Sequence, residues 1–158
     1  MPLATKKAKE GAPAAPARYE SDFYGWALEQ GALIRSGRFE ELDRENVAEE
    51  IESLGRNEFR SFVGFLRVVL VHLLKWDHQP QRRTRSWAIS IALHRDHAKT
   101  SLDDSPSFRP RLGEALERAY RGARLQAARE TRLPVATFPE ACPYGFEDVM
   151  NRPIPLDD

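Results

Sequence analysis

The residues with the greatest chemical potential lie between positions 72 and 87, where cationic and aromatic side chains are interleaved. Guanidinium groups bind phosphates and carboxylates through paired hydrogen bonds, and indole rings stack on bases or on arginine. The cluster therefore predicts a binding site for a phosphate or a nucleic acid, and it includes no catalytic residue. Its predicted members are His72, Lys75, Trp76, Arg82, Arg83, Arg85 and Trp87.

A structural interpretation competes with this binding site. Trp76 continues the apolar pattern of one predicted helix and Trp87 begins that of the next, so both rings fit a hydrophobic core. The arginines between them would then cap the end of the second predicted helix, where basic side chains bind the last backbone carbonyls, and would pair with the glutamates of residues 45–58. We favour this interpretation over an anion site.

Two further groups of residues have types and spacings that could bind a metal ion. His94 and His97 are three residues apart, close enough on one helix to share a divalent ion. Residues 49–52, Glu-Glu-Ile-Glu, are similar to the paired glutamates of all-α nucleotide pyrophosphohydrolases. Those enzymes carry EExxE followed by ExxD, whereas this chain has EExE and no ExxD on its third predicted helix. We expect no metal, no cofactor and no catalysis, and keep as an alternative a metal-dependent hydrolase that uses Glu49, Glu52 and the histidines.

The elements that must position these residues are helices, because apolar residues recur every three or four positions and no segment alternates as a strand does. The first predicted helix begins near Ser21 or Asp22 and ends near Gly37, and its stripe faces a core. That stripe is Phe23, Trp26, Ala27, Gln30, Leu33 and Ile34. The third helix covers about 83–102, and its predicted inward residues are Trp87, Ala88, Ile91, Ala92, Ala98 and Leu102.

The second predicted helix runs from near Asp43 to Trp76, with a break or bend at Gly55 left open. Its second half is apolar around most of its circumference, which places it at the centre of a bundle or at an oligomer interface. A fourth helix opens at Pro106 or Pro110 and ends at Leu133. The sequence thus predicts an all-α, four-helix bundle-like domain with one long central helix and an extended, Pro-rich C-terminal segment.

Three ranges describe the predicted domain organisation. Residues 1–18 are predicted to form a flexible arm, residues 19–150 a single helical domain, and residues 151–158 a tail. The arm has three lysines, and no apolar core of a secretory signal follows them. The most hydrophobic stretch, 62–76, is interrupted by charges and is shorter than the ~20 residues that span a bilayer. We therefore expect a cytoplasmic protein that does not bind membranes.

Charge is segregated along the chain although its formal net charge is zero. Residues 40–58 hold eight acids and two arginines, a net charge of −6, and residues 60–99 hold eight bases and two aspartates, a net charge of +6. Opposite fields of this kind suit intramolecular docking or a head-to-tail partner. The alternative is that these charges lie on solvated helix faces, where an exposed ion pair contributes little, and for any single pair we favour that alternative. The sequence therefore predicts a non-catalytic interaction or regulatory module with a protein partner or a homo-oligomer, and nucleic acid is the less favoured partner.

Six blocks in order resemble the bacterial family known as domain of unknown function 29. They span residues 19–150, nearly everything beyond the arm. The resemblance implies an all-helical fold, in agreement with the apolar periodicity, and it implies no activity. The blocks are Tyr19-Glu-Ser-Asp-Phe-Tyr24, Gly37-Arg-Phe-Glu-Glu-Leu-Asp43, Glu49-Glu-Ile-Glu52, His72-Leu-Leu-Lys-Trp76, Arg82-Arg-Thr-Arg-Ser-Trp87 and Phe138-Pro-Glu-Ala-Cys-Pro-Tyr144.

Overall fold

The computed structural model describes residues 18–155, and all regular secondary structure in that range is helical. The all-α prediction is confirmed. The arm predicted for residues 1–18 lies outside the described residues apart from Arg18, as do the last three residues of the predicted tail. The α-helices are α1 (Phe23–Ser36), α2 (Arg44–His78), α3 (Arg85–Asp104), α4 (Leu112–Thr131) and α5 (Phe146–Asn151).

Local capping chemistry sets the ends of α1 and the start of α3. The Asp22 carboxylate accepts a hydrogen bond from the Gly25 N–H at 3.0 Å, which satisfies one of the free donors at the start of α1. Gly37 ends α1 with φ +73°, a left-handed conformation that glycine adopts without strain. The cap at Asp22 and the end at Gly37 confirm the predicted ends of α1. Thr84 caps α3 through its hydroxyl, which accepts from the Trp87 N–H.

The long helix α2 runs through Gly55 without interruption. Its 35 residues correspond to about 52 Å at 1.5 Å per residue. A glycine inside a helix costs roughly 1 kcal/mol relative to alanine, an amount that good helix formers on either side offset. After His78 the chain turns at the 3₁₀ segment Pro80–Arg82, because proline cannot continue the helical hydrogen bonds.

The chain divides into two compact units at the boundary between Ser53 and Leu54. In the N-terminal unit, Trp26, Gln30 and Leu33 are the buried residues of α1. The prediction that the whole α1 stripe faces a core is wrong, since Phe23, Ala27 and Ile34 are exposed. Periodicity places these six residues near one another on the helix, but a unit this small buries only the part of the stripe that carries Trp26. The single domain predicted over 19–150 stays a prediction.

The C-terminal unit has an extensive core built on α2 from Phe59 to Leu74. Alanines of α4 pack against it, and their small side chains allow close approach of the helices. Ala92 of α3 was predicted to face inward and is exposed, because the buried face of α3 is centred on Ala88, Ile91, Ala98 and Leu102. Fully buried α2 residues are Phe62, Leu66, Val69, Leu70, Val71, Leu73 and Leu74.

Two polar networks hold the C-terminal segment of this unit. The Arg95 guanidinium donates to the carbonyl oxygens of Asp148, Val149 and Arg152 at 3.2, 2.7 and 2.8 Å, which caps α5. Burial lowers the pKa of Arg95. At the end of α2, Asp77 accepts from the Tyr144 hydroxyl at 2.7 Å and pairs with the Arg152 guanidinium. The segment is therefore anchored by polar side chains on both α2 and α3.

Substitution of alanine for glycine tests the continuity of α2. Gly55→Ala is expected to stabilise the protein by about 0.5–1 kcal/mol, because alanine loses less backbone entropy in a helix and open space surrounds this position. Gly37→Ala is the contrasting control and should destabilise by roughly 1 kcal/mol, since its φ is left-handed. Urea denaturation followed by circular dichroism measures both. Loss of stability in Gly55→Ala would contradict a regular helix at that point.

Candidate functional site

The predicted cationic and aromatic cluster lies at the end of α2 and the start of α3, within the C-terminal unit. The 3₁₀ turn Pro80–Arg82 and the Thr84 cap reverse the chain between the two helices. This reversal brings four of the predicted residues into two pairs, Arg83 with Trp76 and Lys75 with Trp87.

Arg83 is used to end α2. Its Nε donates to the Trp76 carbonyl oxygen at 2.9 Å, and its guanidinium carbon lies 5.0 Å from the centre of the Trp76 ring. Trp76 itself is only 8% exposed and belongs to the buried residues of α2. These contacts agree with the structural interpretation in two respects, since the tryptophan is buried and the arginine caps the helix.

Lys75 is also engaged within the protein. Its Nζ lies 2.8 Å from Glu130 Oε2 and 4.5 Å from the centre of the Trp87 ring, and its side chain is 12% exposed. Burial alone would raise the pKa of the Glu130 carboxyl. Hydrogen bonds from Lys75 and Gln126 outweigh this effect, and the pKa therefore lies below its ordinary value. Lys75 therefore neutralises a carboxylate of α4.

The His72 side chain is half-buried and lies against the preceding turn of α2. Its Nδ1 lies 2.8 Å from the Val68 carbonyl oxygen, and because a carbonyl only accepts, we assign the proton to Nδ1. Burial lowers the pKa of His72 below the ordinary 6.5, so the imidazole is neutral at pH 7. A neutral ring adds no positive charge to an anion site.

Arg82 and Arg85 are exposed and, unlike Arg83, form no side-chain hydrogen bond, ion pair or ring contact within residues 18–155. Arg82 ends the 3₁₀ turn and Arg85 begins α3. Of the seven predicted residues, these two remain available to an anion in solution. The structure thus divides the cluster into a structural part, built on Lys75, Trp76 and Arg83, and a solvated part.

The histidines of α3 pack against an aromatic ring. The His94 and His97 rings lie 5.7 Å apart, and the Phe65 ring lies 6.4 and 5.1 Å from them. Across the described range, no three His, Cys, Asp or Glu side chains are grouped so that they could hold a metal ion. Cys142 is half-buried, and burial raises the pKa of its thiol.

Sequence reasoning missed the exposure of several large hydrophobic side chains of the N-terminal unit, a set of residues here called the apolar face. Its side chains are between 44% and 76% exposed, although all of them are large and hydrophobic. Periodicity gives the residues that share a side of a helix but not what covers them, so no sequence signal identifies this surface. The apolar face consists of Phe23, Tyr24, Leu28, Ile34, Phe39 and Ile51.

A second missed feature of this unit is a cavity of about 600 Å³, here called the acidic cavity. Trp26 Nε1 donates to Asp43 Oδ2 at 3.2 Å, and Gln30 Oε1 accepts from the Asp43 N–H at 2.9 Å. A hydrogen bond from Asn46 is the main cause that lowers the pKa of Asp43. The cavity is lined by Arg18, Tyr19, Glu20, Ser21, Trp26, Glu29, Gln30, Leu33, Glu41, Asp43 and Asn46.

Hydrogen bonds within the N-terminal unit show how α1 runs relative to the start of α2. The Tyr19 hydroxyl, before α1, donates to Glu50 in the second turn of α2, whereas Gln30 in the middle of α1 reaches Asp43 at the start of α2. Later positions in α1 thus meet earlier positions in α2, so within this unit α1 and the first two turns of α2 run antiparallel. The acidic cavity lies between the start of α2 and the side of α1 that carries Trp26 and Gln30.

Comparison with known proteins identifies one family. The model of the family described as Domain of unknown function DUF29 matches residues 18–153. No curated protein and no solved structure matches the chain. Within the part of the chain that the structure describes, no helix is long and apolar enough to cross a membrane.

The pH dependence of stability tests the environment of His72. Because the folded pKa is depressed, the neutral form is favoured in the native state, and stability is fully present above the unfolded value near 6.5. It should fall as the pH decreases from about 6.5 through the folded pKa. Urea denaturation across this range should show a smaller loss in His72→Gln. An unchanged pH dependence in that variant would contradict the buried, neutral imidazole.

Proposed function

The chain belongs to the DUF29 family, and on that premise we propose that it is a non-catalytic interaction module that docks a protein through the apolar face. The exposure of that face is the observation that carries the proposal. Complete burial of one large apolar side chain contributes about 1.5–3 kcal/mol. Even partial cover of six such side chains would stabilise a complex by several kcal/mol before the costs of association.

A second copy of the chain is the partner that the charge pattern favours. Residues 40–58 are strongly acidic, so two apolar faces would repel each other. Residues 60–99 are strongly basic and include Ile89 and Leu93, which are 46% and 48% exposed on α3. Arg85, Ile89 and Leu93 follow one another at intervals of four and share one side of the helix. This side of α3 complements the apolar face in both charge and hydrophobicity.

A glutamate within the apolar face tests this docking. Ile51→Glu is expected to raise the dissociation constant of self-association at least about tenfold, which corresponds to about 1.4 kcal/mol, because a charge would be buried in the interface. Leu125→Glu is the matched control, since Leu125 is 61% exposed on α4 and Ile51 is 62% exposed. Sedimentation velocity over a range of protein concentrations measures the association of both variants.

Two results would contradict the proposal at different levels. A wild-type chain that stays at 18.0 kDa at every concentration contradicts self-association. A photo-crosslinking amino acid at position 51 that captures no polypeptide in the cell, while the chain is folded, contradicts an interaction module as such. A defined adduct at position 51 without an adduct at position 125 supports the module.

A second candidate function, binding of a nucleic acid or phosphate, is favoured by the exposure of Arg82 and Arg85. Arg85→Ala should then weaken binding of a labelled single-stranded oligonucleotide and reduce the salt slope of log K by about 1. Arg129→Ala, an exposed arginine of α4, is the control. Fluorescence anisotropy measures both, and equal binding by Arg85→Ala and wild type rejects this function. No observation on the described residues favours the third alternative, a hydrolase using Glu49, Glu52 and the histidines.

We also propose that the four long helices, α1 to α4, form a bundle-like arrangement with α2 at its centre. The protein in this proposal is cytoplasmic. What supports the arrangement is the C-terminal unit, where residues of α2, α3 and α4 share one hydrophobic core. Phe138 and Val149 of the Pro-rich C-terminal segment are buried in that core as well.

A further inference from the structure

We propose that a pocket between α2 and the start of α4 binds a phosphate group through arginine side chains. The pocket belongs to the C-terminal unit, has a volume of about 150 Å³ and is here called the arginine pocket. This inference goes beyond the functions proposed above, because neither the apolar face nor Arg82 and Arg85 line this pocket. The residues that line it are Arg56, Phe59, Arg60, Arg111 and Arg118.

Two guanidinium groups of the arginine pocket are held beside each other by contacts within the protein. Arg111 donates to both carboxylate oxygens of Glu114 at 2.9 and 2.8 Å, and Arg118 donates to Glu114 Oε1 at 3.3 Å. Their guanidinium carbons also lie over one ring, at 3.8 and 5.6 Å from the centre of the buried Phe59 ring. The shared carboxylate and the shared ring thus position two cations before any ligand binds.

The positive charge of the pocket is only partly neutralised. Four arginines line it and, among the residues that the structure describes, no acid does. Glu114 pairs with both Arg111 and Arg118, so that one negative charge is shared by two positive charges. Arg60 donates to the neutral side chain of Asn57 at 2.9 Å and forms no ion pair with another described residue. An anion that entered the pocket would therefore meet positive charge in excess of negative charge.

Hydrogen-bond donors also remain for an anion. A guanidinium group carries five N–H donors. Described partners take two donors of Arg111, one of Arg118 and one of Arg60. The side chains of Arg111 and Arg118 are 48% and 39% exposed, so an anion in solution can reach them.

The size of the pocket and the geometry of its donors select a phosphate group among anions. A volume of about 150 Å³ is well below the roughly 300–1,000 Å³ of sites for drug-sized ligands, so the pocket admits one small group. A carboxylate offers two oxygens and one charge, whereas a phosphate monoester offers three strong acceptor oxygens and a charge of about −1.5 to −2 at pH 7. Since guanidinium groups bind such oxygens in pairs, arginines that converge from two helices match a phosphate better.

Nuclear magnetic resonance of the arginine Nε–H groups provides a local test in the full chain. The probes are inorganic phosphate and glycerol 3-phosphate, and sodium chloride at matched ionic strength is the control for screening. We expect saturable shifts of the Arg60, Arg111 and Arg118 signals with at least one phosphate probe. Tighter binding of inorganic phosphate would identify the free ion as the ligand, whereas binding of the ester at least as tight would identify a phosphate ester. Shifts that do not saturate, or that chloride reproduces, overturn the proposal.

Protein variants separate the pocket from the general charge of the chain, with the Arg111 Nε–H as the reporter in each. Arg60→Gln should weaken phosphate binding at least about threefold, and Arg60→Gln/Arg118→Gln at least about tenfold, because charge-assisted hydrogen bonds are lost. Arg129→Gln removes the same charge as Arg60→Gln from an exposed position of α4 outside the pocket and should bind as wild type does.

The single variant keeps the test decisive if the double variant does not fold, since Asn57 is the described hydrogen-bond partner that Arg60 loses. Wild-type affinity in Arg60→Gln overturns the proposal, as does an equal loss of affinity in Arg129→Gln. None of these results affects self-association through the apolar face.

Discussion

The need to enclose α2 between Phe59 and Trp76 determines much of the C-terminal unit. This stretch is apolar around most of its circumference, so most of its surface must be covered, and each large side chain left in water would cost about 1.5–3 kcal/mol. Helices α3 and α4 supply cover, and α4 does so with alanines that permit close packing. Phe138 and Val149 complete the core, which is why Arg95 and Asp77 anchor the segment that carries them.

The same constraint explains why the cationic cluster is mainly structural. An enclosed helix must also satisfy the carbonyl groups at its end, and Arg83 does this at Trp76. Lys75, one residue before, pairs with a carboxylate of α4 and covers the Trp87 ring. The N-terminal unit has a much smaller core around Trp26 and leaves six large apolar side chains in water. For this reason the proposed function rests on the apolar face.

The sequence predicted what depends on neighbouring residues. The caps at Asp22 and Gly37 and the buried side of α3 around Ile91 follow from local chemistry and helical spacing. The pairing of Lys75 with Glu130 could not be predicted, because 55 residues separate them. The exposure of Phe23 could not be predicted either, since spacing shows which residues share a side of a helix and not whether another element covers it. The acidic cavity depends on two helices meeting, so no single stretch of sequence encodes it.

The central claim is that the apolar face is a docking surface for a second copy, and oxidative footprinting at low and high protein concentration tests it most directly. Hydroxyl radicals modify exposed aromatic side chains, so Phe23, Tyr24 and Phe39 report on the face itself. The account predicts that these three residues become protected as the concentration rises, while Leu125 on α4 reacts at a constant rate. Equal reactivity of Phe23, Tyr24 and Phe39 at both concentrations would contradict it.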